Sequence, residues 1–365
     1  MQAQPRGSSI GLVLHPPAKC AGDKHDAAQR RITLLKMALS VSPSAAQLRR
    51  ELALRNRFYA RGRLHVESYG GEPVVVYAPE GDRHGNFFDD AYRAICRRPE
   101  WHRRFDKVHA QARRALPKAE RRWRELDSSM SSDALLMNIF CTPGVVGLPA
   151  VAQLLGVEET AEPVFGWRAR VPLVNGRFDR TEVDMRFGSL LAEAKLTESD
   201  FQTCTAELLA TYRDLAEVFD VNLLPRVEVV VGRRKVETEF PEDYSQEYEE
   251  PVDPELGLVR EYAVVAQVAT VFAGYQLIRN VLAAHAAGAR FCVLLDQRRP
   301  DLREAWFDVM AAVRSADLRV RLMTLTWQEL AAALPAPLQE FLDVKYGIVP
   351  PGVVPSPMDE GREIA

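Results

Sequence analysis

The 365-residue sequence contains no CxxC pair, no Walker-type glycine loop, no set of histidines spaced as metal ligands and no internal repeat. Its five cysteines, Cys20, Cys96, Cys141, Cys204 and Cys292, are scattered. That spacing excludes a zinc ribbon or a disulfide scaffold and points to buried thiols in a reducing cytoplasm. Without the glycine loop the chain encodes no ATP-driven translocation. The apolar stretch 10–14 is too short for a signal-peptide core and runs into Pro16 and Pro17, so secretion is not expected. The longest weakly polar stretch, 263–278, contains Gln267 and falls short of the ~20 apolar residues of a bilayer span, so no membrane partner is expected. It reads instead as part of a long buried helix over 262–287.

What is present suits a soluble globular protein of one elaborated domain or two. Hydrophobic residues make up 47% of the chain, and 47 basic residues against 50 acidic ones leave a net charge of -3. This excludes a uniformly basic protein but not a local basic surface. Residues 91–126 hold twelve Lys or Arg and four Asp or Glu, interleaved with Trp101, Phe105 and Trp123 at helical spacings. They read as two amphipathic helices whose arginines either face solvent or neutralise phosphates; Arg113, Arg114, Arg121 and Arg122 are the candidate nucleic-acid contacts. The reverse pattern covers 237–261, with ten acidic residues, one basic residue and prolines at 241, 251 and 254, as in a solvated loop. The ends, 1–20 and 347–365, read as flexible tails.

Residues 131–139 predict a helix behind a Ser-rich cap, in which Ser132 is the expected cap. Strands are predicted over 164–171 and 178–187 around an Asn175-Gly176 turn, then over 190–196 after Gly188-Ser189. A helix over 200–219 and a strand over 226–231 follow. Strands over 291–295 and 320–326, with helices over 302–315 and 327–334, extend the alternation, which favours an α/β layer.

The chemistry concentrates in 181–195. Alternation along a strand places Glu182, Asp184 and Arg186 on one face, and Leu191, Glu193 and Lys195 share a face of the next strand. A tight turn at Gly188-Ser189 would bring Asp184, Glu193 and Lys195 together. Two carboxylates beside leucines are costly to bury unless a cation neutralises them, and hard oxygen ligands suit Mg²⁺, with Mn²⁺ as a substitute. Lys195 would then hold or deprotonate the water that attacks a phosphorus and stabilise the accumulating charge. The alternative is an ordinary exposed strand pair with Lys195 as a salt-bridge partner. Glu182 is a further candidate, either as a ligand or behind one as an acceptor for Arg186. Gln276, Asn138 and Ser132 are candidates on the helices flanking the site.

This pattern resembles the PD-(D/E)xK superfamily of nucleases, the restriction-endonuclease-like fold, whose core runs helix, three strands, helix, strand. Asp184 matches the acidic residue of the second core strand, and Glu193 and Lys195 match the (D/E)xK half; Val183 stands where the motif has its Pro. More narrowly, 131–140 and 275–280 resemble segments of a bacterial family of restriction-endonuclease-like proteins, over roughly 127–306. The resemblance implies a role for Gln276 near the metal. It predicts a restriction-endonuclease-like domain over 128–346, preceded by a mostly helical basic region over 21–127 and carrying an α/β C-terminal extension. The expected activity is Mg²⁺-dependent phosphodiester hydrolysis, with DNA as substrate and partner, in the cytoplasm; a homodimer is compatible with it. A catalytically silent nucleic-acid-binding or complex-assembly module on the same fold is the rival expectation.

Overall fold

The computed structural model describes residues 43–68, 74–107, 124–158, 161–237 and 262–357. The basic candidates Arg113, Arg114, Arg121 and Arg122, the acidic stretch 238–261 and both expected tails as far as 42 and from 358 lie outside these residues. Along the chain, helix α1 (Pro43–Tyr59) is followed by a short antiparallel pair, His65–Glu67 with Val75–Tyr77, and by α2 (Asp89–Arg97). Helix α3 (Ser132–Phe140) is buried along its whole length. Its cap is Ser131, whose side chain accepts from the Ala134 N–H, so the cap lies one residue before the expected Ser132. Helix α4 (Pro149–Leu155) starts on a proline that needs no N–H there and stops at Gly156, φ 60°.

Strands β1 (Pro163–Arg168), β2 (Glu182–Phe187) and β3 (Leu190–Ala194) form an antiparallel meander. Between β1 and β2, Val171–Pro172 pairs with Phe178–Asp179 around the Asn175-Gly176 turn, where Gly176 takes φ 77°. The helix expected over 200–219 is only two single turns, Ala206–Leu209 and Leu215–Val218, separated by irregular chain.

Strand β4 (Arg226–Glu237) was expected as the fourth strand of the core, but it pairs with β5 (Tyr262–Ala273) in a separate sheet. The helix expected over 262–287 is therefore half strand. β-Branched Val264, Val265, Val268, Thr270 and Val271 favour extended chain, Gly274 at φ 73° breaks it, and α5 (Tyr275–Ala286) begins there. The strand that lies beside β3 is β6 (Arg290–Leu295), parallel to it, and after α6 (Pro300–Ala311) β7 (Leu322–Thr326) runs parallel to β6. The five-stranded sheet thus has the order β7-β6-β3-β2-β1. Helices α7 (Trp327–Ala331), entered through a Thr326/Glu329 capping box, and α8 (Ala336–Tyr346) end the chain.

Each face of this sheet has its own apolar core. Met185, Phe187, Leu190, Ala192, Cys292 and Leu294 pack with α1, α3 and α8, whereas Leu191, Phe291 and Val293 pack with α5 and α6. The first core includes Leu48, Leu52, Phe87 and Phe105. The boundary expected at 127/128 is thus not a packing boundary, because a helix buried all round, α3, needs the preceding region to cover it. Described residues up to Glu228 and from Ala269 form one unit; 229–237 and 262–268 belong to another. Among the described cysteines, Cys141, Cys204 and Cys292 are buried and Cys96 is exposed, and all are free. No described helix is long and apolar enough to cross a membrane.

Candidate active site

The β2–β3 hairpin sets the site. Its register pairs Met185 with Ala192, and the Gly188 turn, φ 59°, fixes it, so Asp184 and Glu193 come level at the open end of the ladder. The Ala194 N–H donates to Asp184 Oδ2 at 2.8 Å, tying the first carboxylate to the strand that carries the second.

Glu193 is fully buried, at 0% exposure, and Lys195 is nearly so, at 6%. Lys195 Nζ lies 2.8 Å from Glu193 Oε1 and donates to Gln276 Oε1 at 2.8 Å. Gln276 in turn donates to Glu193 Oε1, and Asn280 Nδ2 donates to Oε2 at 2.9 Å. Gln276 and Asn280 stand one turn apart on α5, so one helix face grips both oxygens of one carboxylate. The backbone of Lys195 is fixed as well: its N–H donates to Leu294 O, and Trp327 Nε1 donates to its carbonyl at 2.9 Å.

Across Asp184 the strand changes hands. Phe165 pairs with Met185 and Trp167 with Val183, which leaves Gly166, φ 61°, opposite Asp184 outside the regular ladder. Val183 packs with the α5 side, although Met185 and Phe187 pack with the α3 side. Simple alternation therefore fails here. Glu182 does not join Glu193 but accepts from Arg104 at 2.8 Å, and Arg186, its expected partner, donates to Gly188 O instead. A Cβ at Gly166 would collide with Arg104, so this crossing requires glycine.

Arg104 also donates to Asp133 Oδ2 at 2.6 Å, and Lys107 Nζ lies 2.9 Å from the same oxygen. Asp133 sits in the first turn of α3, read from sequence only as part of a cap. Ser132 beside it donates to Glu198, whose other oxygen accepts from the Leu196 N–H. Asn138 faces away from the site, bonding Phe88 N–H and Asn86 O. Arg104, Lys107, Asp133, Glu198 and Asn280 were not found from sequence. Only Asn280 carried a local signal, its i,i+4 spacing from Gln276; the rest arrive by long-range packing.

The charges are strongly perturbed. Burial, then the Glu193 and Asp133 charges, hold the Asp184 carboxyl well above the usual range, only partly offset by Lys195 and Lys107. Burial pulls the Lys195 amine down, yet Glu193, Glu198 and Asp184 outweigh it and raise the amine above its ordinary value. Lys195 is thus a charged donor in this state, and the proton-abstracting half of its expected role does not suit it. Burial works against ionised Asp133, but Lys107 and Arg104 prevail and keep its carboxyl low.

No group of three or more His, Cys, Asp or Glu among the described residues forms a ready metal cluster. The donor set does fit one hard cation: Asp184 has a backbone N–H partner but no ion pair, and burial opposes its charge. Glu193 would have to exchange one donor to join it.

A family model described as Restriction Endonuclease associating with ARP matches residues 53–347. No curated protein and no solved structure matches the chain.

Proposed function

Because the chain belongs to the family described as Restriction Endonuclease associating with ARP, we propose that it is a divalent-metal-dependent nuclease that hydrolyses DNA phosphodiesters on a PD-(D/E)xK core. The core would be α3, β1, β2, β3, α5 and β6, in the order helix, three strands, helix, strand. The observation that carries the reading is the grouping of Asp184, Glu193 and Lys195 at the open end of one hairpin, with Gln276 on Lys195 and Glu193.

Asp184 and Glu193 would hold one Mg²⁺ or Mn²⁺. Such an ion supplies positive charge that lowers the pKa of water and stabilises a pentavalent phosphorus. Lys195 presents an ammonium, fixed by Glu193 and Gln276, to the phosphate oxygens as negative charge grows on them. Gln276 and Asn280 keep the Glu193 carboxylate from rotating, the orienting task of groups behind a ligand. Water adds to phosphorus, the P–O bond to the leaving nucleotide breaks, and that oxygen takes a proton. Association with a partner called ARP is proposed for this chain on the family's description alone.

The test is incubation of plasmid, linear and single-stranded DNA with and without Mg²⁺ or Mn²⁺, beside Asp184→Ala and Lys195→Ala. Metal-dependent cleavage lost in both variants is the expected result. A wild type that binds DNA but neither binds a divalent ion nor cleaves would establish the silent binding module instead.

A further inference from the structure

On the far side of Asp184 from Glu193, Lys107 reaches into a second group of acids. Its Nζ lies 2.9 Å from Asp133, 3.1 Å from Glu125 and 3.7 Å from Glu182. A surface lysine ordinarily pairs with one carboxylate and gains little by it. Here three carboxylates from three separate segments close around one ammonium. Both ends of the side chain are fixed, since the Lys107 carbonyl accepts from the Glu125 N–H at 2.8 Å and its N–H donates to Arg104 O at 3.2 Å. Arg104 bridges Asp133 and Glu182 at 2.6 and 2.8 Å, holding two of the three acids in place. The seat is not sealed, because the Lys107 side chain keeps 35% exposure. Asp184 and Lys107 also feel each other's charge.

This is the arrangement of a cation site whose cation comes from the chain. Two-metal phosphodiesterases place a second ion roughly 4 Å from the first, with its own carboxylates. We propose that the Lys107 ammonium is a built-in second cation beside the ion held by Asp184 and Glu193, and that it makes this a one-metal nuclease. The proposal rests on the nuclease reading of Asp184, Glu193 and Lys195. Lys107 is a positioning residue: it occupies the seat that Asp133, Glu125 and Glu182 would otherwise offer to a divalent ion, and it cannot dissociate when metal is scarce.

The experiment is Mn²⁺ titration by calorimetry, with bound ion counted by electron paramagnetic resonance, on full-length wild type, Lys107→Gln, Lys107→Arg and Asp184→Ala. Glutamine keeps a hydrogen-bond donor but removes the charge. One ion is expected in the wild type and in Lys107→Arg, and two in Lys107→Gln. One ion in both wild type and Lys107→Gln overturns the proposal and leaves the Asp184–Glu193 site standing. No ion in the wild type defeats that site, and no ion in Lys107→Gln then defeats this one. Melting with and without Mn²⁺ covers a variant that folds poorly. Rescue of Lys107→Gln by Mn²⁺ supports the seat, and failure to fold even with Mn²⁺ counts against it.

Discussion

Two buried lysines in this molecule have opposite surroundings. Lys195 stands among Glu193, Glu198 and Asp184, and its amine is raised despite burial. Lys345, on α8, is fully buried, and its Nζ donates to Asn56 Oδ1 at 2.9 Å and Asn86 Oδ1 at 2.7 Å. The rings of Tyr346, Tyr77 and Tyr59 lie 4.5, 4.8 and 5.5 Å away, and no described carboxylate pairs with it. Burial, with a smaller push from Arg63, drives that amine well below its ordinary value. Depth alone therefore does not decide whether a lysine is charged. Acids make Lys195 a cation suited to phosphate chemistry, whereas amides and rings make Lys345 a clamp between the first and last described helices.

The difference is erased most completely by Glu193→Gln, which gives Lys195 a third amide neighbour in place of its acid. Cleavage and Mn²⁺ binding should both fall to background, and retention of either would break the contrast. Lys195→Met takes the other half away and leaves a buried carboxylate with amides alone; the metal-free protein should lose about 3–5 kcal/mol in urea unfolding. A loss under 1 kcal/mol would mean that Glu193 does not need its cation.

Lys345→Met should act through pH. A folded amine pKa below the unfolded one makes wild-type stability rise with pH from the depressed value to about 10.4, and fall as pH drops through the folded value. The Met variant should show a flatter stability–pH curve over this range, and an unchanged slope would return Lys345 to an ordinary charged lysine. Asp184→Asn gives the smallest shift. A raised carboxyl contributes stability that is fully present below the unfolded pKa of about 3.9 and lost as pH rises through the folded value. Asparagine should therefore leave the metal-free protein slightly more stable than wild type at neutral pH, measured by thermal melting; a fall would show that Asp184 is ionised without metal.

Asp184, Glu193 and Lys195 were legible because a strand, a turn and a strand impose a register that period-two arithmetic can follow. The same arithmetic misplaced Glu182, since Gly166 interrupts the ladder opposite Asp184 and no local signal in β2 reports it. The apolar run over 262–273 was read as helix because an unbroken apolar stretch has no period to separate strand from helix. Choosing 226–231 as the fourth core strand followed from that error: once 262–287 is counted as one helix, β6 looks like an extension. Asp133 looked like part of a cap, and only the fold brings Arg104 and Lys107 to it.

The Trp327 bond to the Lys195 carbonyl gives the molecule a temporal order as well as a spatial one. On a ribosome the Glu193–Lys195 hairpin emerges more than a hundred residues before that indole, and α1 waits longer still for Lys345. The nascent chain carries its reactive groups long before it can hold them in register. A hydrolase of nucleic acid made in this order stays inert beside its own messenger until synthesis is nearly finished.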